Sequence, residues 1–185
     1  MAIVTMEALY ARRYTTYSNT ISDLGATDGP HTFSREPAHS LYVAIAILAG
    51  VSILVAAFYL GRAGTSRLFL GALVCMGVGT AGIGAYPQDH GRVHATFALC
   101  GVVGGAVAAI LTTRVVRGWF SHVATTLGLL AVLAVLLELP GVKGLGGVEA
   151  ELGVGGIERW GVYPVILWLF GFGVTLLGQR EIRRR

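Results

Sequence analysis

The sequence predicts an all-α fold, a polytopic helical membrane bundle with five full transmembrane helices and a short helix before them. Three observations carry this. Hydrophobic residues make up 54% of the 185-residue chain and charged residues only 13%, where about 25% charged is usual in a soluble domain. The mean hydropathy is +0.68. The apolar residues are also gathered into five blocks, each near the ~20 residues that cross a hydrocarbon core about 30 Å thick.

Taken in order, residues 1–10 are apolar apart from Glu7 and reach about half a spanning length. They lack the basic start, long apolar core and small-residue cleavage site of a signal peptide. This partial first helix is expected either to lie on the surface or half inserted, or to be the tail of a longer helix. Residues 11–40 form a polar segment. The spans are then expected at 41–60, 68–86, 93–113, 119–139 and 160–177, the last being the shortest, with a basic tail at 178–185. No span contains Lys, Arg or Asp. His94, His122 and Glu138 are their only histidines and carboxylates, and each lies within about a turn of an end, where polar groups are tolerated. His122 is expected to bond a neighbouring helix. Cys75 and Cys100 both fall mid-span and read as small, reduced packing residues rather than a disulfide or a metal pair. The tryptophans and tyrosines cluster near span ends as an interfacial belt, Trp168 excepted. The whole chain reads as one membrane domain.

Charge sets the expected orientation, because Lys and Arg in short loops are retained on the cytoplasmic side. Arg62, Arg67, Arg114, Arg117, Arg180, Arg183, Arg184 and Arg185 share one side if all five blocks span. Arg12, Arg13, Arg35, Arg92, Lys143 and Arg159 share the other, diluted over longer segments and mixed with most of the acids. The C-terminus is therefore expected in the cytoplasm, with the long polar loops outside the cell membrane. The net charge of +4 does not point to nucleic acid, because the arginines sit at span ends, where they meet anionic lipid head groups.

Glycine is abundant at 27 residues. Gly71, Gly77, Gly79, Gly82 and Gly84 crowd the second span. Gly101 and Gly105 form a GxxxG in the third, beside the Gly104 and Ala108 row. Small residues let helices in lipid approach closely, so these two spans are expected at the bundle centre, packing internally rather than by self-association.

Strict alternation of the spans brings three polar segments to the outer face. They are Tyr17 to Gly25 (YSNTISDLG), Ala85 to His94 (AYPQDHGRVH) and Gly156 to Trp160 (GIERW). The first reads as a single helical turn capped at both ends. Glu7 and Glu138 are placed to join them. His90 and His94, at i and i+4 with Asp89 beside them, would share a zinc ion if they lay on one helical face, although Pro87 and Gly91 suggest a turn. Asp23, Glu158 and Arg159 support two readings, a structural latch between loops or a ligand site. In the second, Arg159 holds a lipid phosphate or carboxylate while Ser22, Asp23 and His94 shape the pocket. Both readings need the planar guanidinium and predict intolerance of Lys.

The combination of YSNTISDLG, a Tyr-Pro after a glycine-rich span with a histidine seven residues on, and GIERW followed by Tyr163-Pro164 resembles the membrane family known as domain of unknown function 998. That family is distantly grouped with the Frag1/DRAM/Sfk1 membrane proteins. The resemblance covers nearly the whole chain. It implies that Ser22, Asp23, Gly25, Pro87, His94, Glu158 and Arg159 are the family-type positions, that the bundle has six spans, and that no established activity accompanies them. His90 has no counterpart in it. A full helix precedes the SDLG segment in the family, so the expectation is either that the chain begins late, by truncation or start-site choice, or that a partner membrane protein or a second copy of the chain supplies the missing helix.

The function this suggests is non-enzymatic binding of a lipid, small ligand or partner membrane protein through the outer polar cluster, with no cofactor. A zinc-dependent membrane hydrolase acting on lipids is the alternative. An oligomeric transporter or channel is a third, disfavoured because the spans carry no ionisable group at mid-depth. No nucleotide loop, nucleophile elbow, haem motif or iron–sulfur spacing is present.

Overall fold

The computed structural model describes residues 1–10, 14–27, 36–139 and 147–184, the side chains of 179–184 excepted. Arg12, Arg13, Arg35, Lys143 and Arg185, used above for orientation, lie outside the described residues.

After the short α1 (Ala2–Leu9) come α2 (Ala38–Arg62), α3 (Arg67–Ala85), α4 (Arg92–Leu111), α5 (Trp119–Leu137) and α6 (Val148–Arg184). The last five are long and apolar enough to cross a membrane. At 1.5 Å per residue the 19-residue α3 and α5 are each roughly 28 Å long, close to the thickness of the hydrocarbon core. The chain is a multi-pass membrane protein. Each long helix packs on the next in sequence, and α6 also returns to α4.

Two buried clusters hold the bundle. The larger joins Phe69, Leu73 and Met76 of α3, Ala106 and Ala109 of α4, Ala124 and Ala131 of α5, and Val165, Trp168 and Phe172 of α6. Its small residues follow from the solvent. Lipid gives apolar side chains no hydrophobic reason to associate, so close van der Waals contact between backbones must hold the helices together. At the α3–α4 seam a Cβ on Gly79 would overlap the Gly101 backbone, and one on Gly104 would sit 2.5 Å from the Met76 nitrogen. Gly50 brings α2 against the α3 backbone at Ala81 in the same way. The two glycines of the GxxxG serve different neighbours, Gly101 facing Gly79 and Thr80, and Gly105 facing Val165 of α6.

Trp168 is fully buried rather than part of an interfacial belt. Its indole N–H donates to Thr112 Oγ at 2.8 Å, which pins α6 to the end of α4, and its ring stacks on Phe172 and meets Phe69 edge-on. The smaller cluster packs Met6 and Tyr10, at the end of α1, against Ile21, Leu24, Ala38 and Tyr42, so α1 docks on the start of α2.

Two features differ from expectation. The last helix starts at Val148, not Trp160, and bends at Gly153, where φ is 69°. Gly153 does interrupt the helix, its φ and ψ being non-helical, whereas Gly155 and Gly156 read as loop by soluble-helix propensity yet are tolerated in a helix at membrane depth. His122, expected to bond a neighbouring helix, is exposed on the surface of α5.

Candidate functional site

The polar cluster grows from the Ser22–Gly25 turn, a single turn of 3-10 helix. The Thr20 backbone N–H donates to Asp23 Oδ2 at 2.8 Å, and the Asp23 N–H donates to Thr20 Oγ at 3.0 Å. This reciprocal pair is a capping box, which satisfies two donors that a helix start otherwise leaves open. Asp23 also accepts from Gln88 Nε2 at 2.9 Å, which ties the turn to the α3–α4 connection. Asp23→Ala is expected to lower stability by about 1 kcal/mol and to raise hydrogen exchange at residues 20–25, as read by mass spectrometry.

Glu158 of α6 holds the turn from the other side. Its carboxylate accepts from the Ile21 N–H, from the Ser22 N–H at 3.3 Å and from the Ser22 hydroxyl at 2.7 Å. A carboxylate thus meets the open N–H groups of a helical turn, where negative charge is favoured.

Arg159 points at the preceding segment. Nη1 donates to the carbonyls of Gly155, Asn19 and Thr16 at 2.7, 2.9 and 3.3 Å. Nη2 donates to Glu7 at 2.8 Å and to the Tyr14 hydroxyl at 2.6 Å. The guanidinium also lies 5.5 Å over the Tyr14 ring. Burial pushes the Tyr14 phenol well above its ordinary pKa despite the arginine beside it. It stays a neutral hydroxyl that accepts from Arg159 and donates to the Thr20 carbonyl at 2.7 Å. Every hydrogen on the two terminal nitrogens therefore has an acceptor within the chain. Close approach depends on Gly155, since a Cβ there would strike the Asn19 and Thr16 carbonyls, and the Gly155 N–H donates to the Tyr17 carbonyl at 3.1 Å.

The histidines stand apart from this network. His94 is 5% exposed, with Nδ1 2.9 Å from the Tyr86 carbonyl. That contact requires a hydrogen on Nδ1, and Nε2 is buried without a partner among the described residues. His90 sits in the separate 3-10 turn Gln88–His90, 3.2 Å from the Pro87 carbonyl. Gly91, at φ 51°, breaks the chain between that turn and α4, so His90 and His94 do not share the single helix face a bridged HxxxH requires. Asp89 accepts from the Thr27 N–H and hydroxyl, both at 2.7 Å. Among the described residues no group of three or more His, Cys, Asp or Glu side chains is gathered to hold a metal ion.

Of the residues singled out in the sequence, Ser22 meets Glu158, and Asp23 and Arg159 join the same network through Gln88 and the Thr16–Asn19 carbonyls. His94, His90 and Asp89 have other partners. Tyr14, Gln88 and Gly155 were not singled out. Gln88, a polar residue directly after Pro87 at a span end, carried a usable signal, whereas Tyr14 carried none.

These features define a class: a multi-pass membrane bundle whose N-terminal segment is fastened to its last helix by a buried polar cluster at one end. A family model described as "Protein of unknown function (DUF998)" matches residues 1–175, and the chain belongs to that family. No curated protein and no solved structure matches it.

Proposed function

We infer that the protein is a non-enzymatic binder of a membrane lipid at the extracytoplasmic end of the bundle, with the polar cluster as the rigid rim of the binding region. The observation that carries this reading is a groove of about 140 Å³ between α5 and α6, lined by Leu130, Leu133 and Leu137 on one side and Leu152, Ile157 and Trp160 on the other. Two of its lining residues, Ile157 and Trp160, flank the Glu158–Arg159 pair in sequence. Its lining suits an acyl chain, and Trp160, half exposed, has the amphipathic ring that favours the head-group level. The terminal nitrogens of Arg159 are fully used within the chain, its buried Nε alone having no partner among the described residues, which favours the latch over a phosphate clamp, because an incoming anion would have to displace Glu7. The side assignment rests on the density of arginines at the opposite end.

Leu133 is 54% exposed at the groove, away from the polar network, so Leu133→Trp fills the groove while leaving the rim intact. Protein purified gently in nanodiscs is expected to carry one lipid species enriched over the bulk membrane, as read by mass spectrometry of the extract. Leu133→Trp is expected to lose that enrichment. Bulk composition in the unaltered protein would overturn the reading. Stoichiometric zinc that disappears in His94→Ala would select the hydrolase instead.

A further inference from the structure

Cys75 lies near the middle of α3 and Cys100 near the middle of α4, on the glycine seam between these helices. The Cys75 thiol donates to the Cys100 carbonyl at 3.4 Å, which brings its sulfur against the Cys100 main chain. Both are free and partly exposed. The seam is tight on each flank. A Cβ on Gly104 would lie 3.1 Å from the Cys75 carbonyl carbon, and one on Gly79 would overlap Gly101, the residue after Cys100. A disulfide needs Cα atoms roughly 4.4–6.8 Å apart. Most helix pairs, with axes about 8–10 Å apart, leave few positions that meet this. Backbone contact of Gly79 with Gly101 and of Gly104 with Met76 draws α3 and α4 closer than that on either side of the two cysteines.

We propose that Cys75 and Cys100 form a reversible dithiol–disulfide pair inside the membrane, oxidised by a lipid-soluble benzoquinone. One S–S bond forms and two S–H bonds break. The two electrons and two protons pass to the quinone, which becomes the hydroquinone. The depth of the pair requires a lipid-soluble oxidant, because water-soluble disulfides do not reach mid-span, and a quinone is a two-electron acceptor that diffuses in the lipid beside the partly exposed cysteines. The oxidised pair closes the chain from residue 75 to residue 100, a loop that contains Gln88 and His94, and stops α3 and α4 from separating.

The full chain in nanodiscs is treated with decylubiquinone, whose fully substituted ring offers no site for thiol addition. Remaining thiols are blocked with N-ethylmaleimide, and the protein is digested with trypsin without reduction. The expected product is a disulfide between peptides 68–92 and 93–114, with alkylation falling from two thiols per chain to none and restored by a phosphine reductant. In Cys75→Ser the linked peptide is absent and Cys100 stays alkylated. Oxidation is expected to raise the thermal midpoint of the unaltered chain and not that of Cys75→Ser. Two alkylated thiols after quinone treatment, or a link between different chains, would overturn the proposal. The labelling of the unaltered protein decides this even if the variant folds poorly.

Discussion

Arg159→Lys is expected to lower the unfolding free energy by about 3 kcal/mol and to free residues 14–27 for proteolysis, although charge and approximate length are kept. The guanidinium spreads its donors over a rigid plane that reaches the Gly155, Asn19 and Thr16 carbonyls from one nitrogen and Glu7 and Tyr14 from the other. An ammonium is a compact point with three hydrogens and cannot serve both sets. Among these acceptors the Gly155 carbonyl is buried and, left unsatisfied, costs about 1–3 kcal/mol; the part-buried Glu7, Tyr14 and Asn19 groups add smaller losses. Denaturant unfolding in micelles, with limited proteolysis of the same samples, reads both effects. An unchanged midpoint and an uncut segment would remove Arg159 from the centre of this account.

Gly79→Ala should produce the next largest loss, about 2 kcal/mol, while Gly71→Ala in the same helix should leave stability unchanged or slightly raised. The contrast isolates packing from helix propensity. A methyl at Gly79 strikes the Gly101 backbone and forces α3 away from α4, whereas nothing lies within 4 Å of the position a Cβ would take at Gly71. Backbone atoms cannot change rotamer to make room, so the strain spreads to the whole seam. Thermal midpoints of the two variants side by side make the comparison, and equal midpoints would refute it.

The bundle was legible in the sequence because spanning length and the exclusion of charge are imposed residue by residue by the bilayer. The meeting of Ser22 with Glu158 followed from the same source, since alternating spans bring the SDLG turn and the GIER stretch to one end. What stayed hidden depends on tertiary pairing. That Glu7 joins the polar cluster is legible from its end of the bundle, but nothing local indicates which group there, 152 residues away, is its partner. The start of α6 was misplaced because glycines at 153, 155 and 156 look like chain breakers. In the structure only Gly153 breaks the helix, and Gly153 and Gly155 are what let the Tyr17 and Asn19 backbone rest against it. The mid-span position of Trp168 is visible in the sequence, but its partner Thr112 is not, because that pairing appears only once α4 and α6 are side by side.

The 152 residues between Glu7 and Arg159 also dictate an order of events during synthesis. A ribosome that has just made Glu7 must release four further spans before the counter-ion exists, at about 5–20 residues per second. Until then the carboxylate and the Thr16 and Asn19 carbonyls have only water or lipid head groups for company. Closure of this end is therefore a late folding step, open only once the last helix has begun, and a product stopped before Arg159 would leave its beginning unanchored however well the earlier helices had inserted.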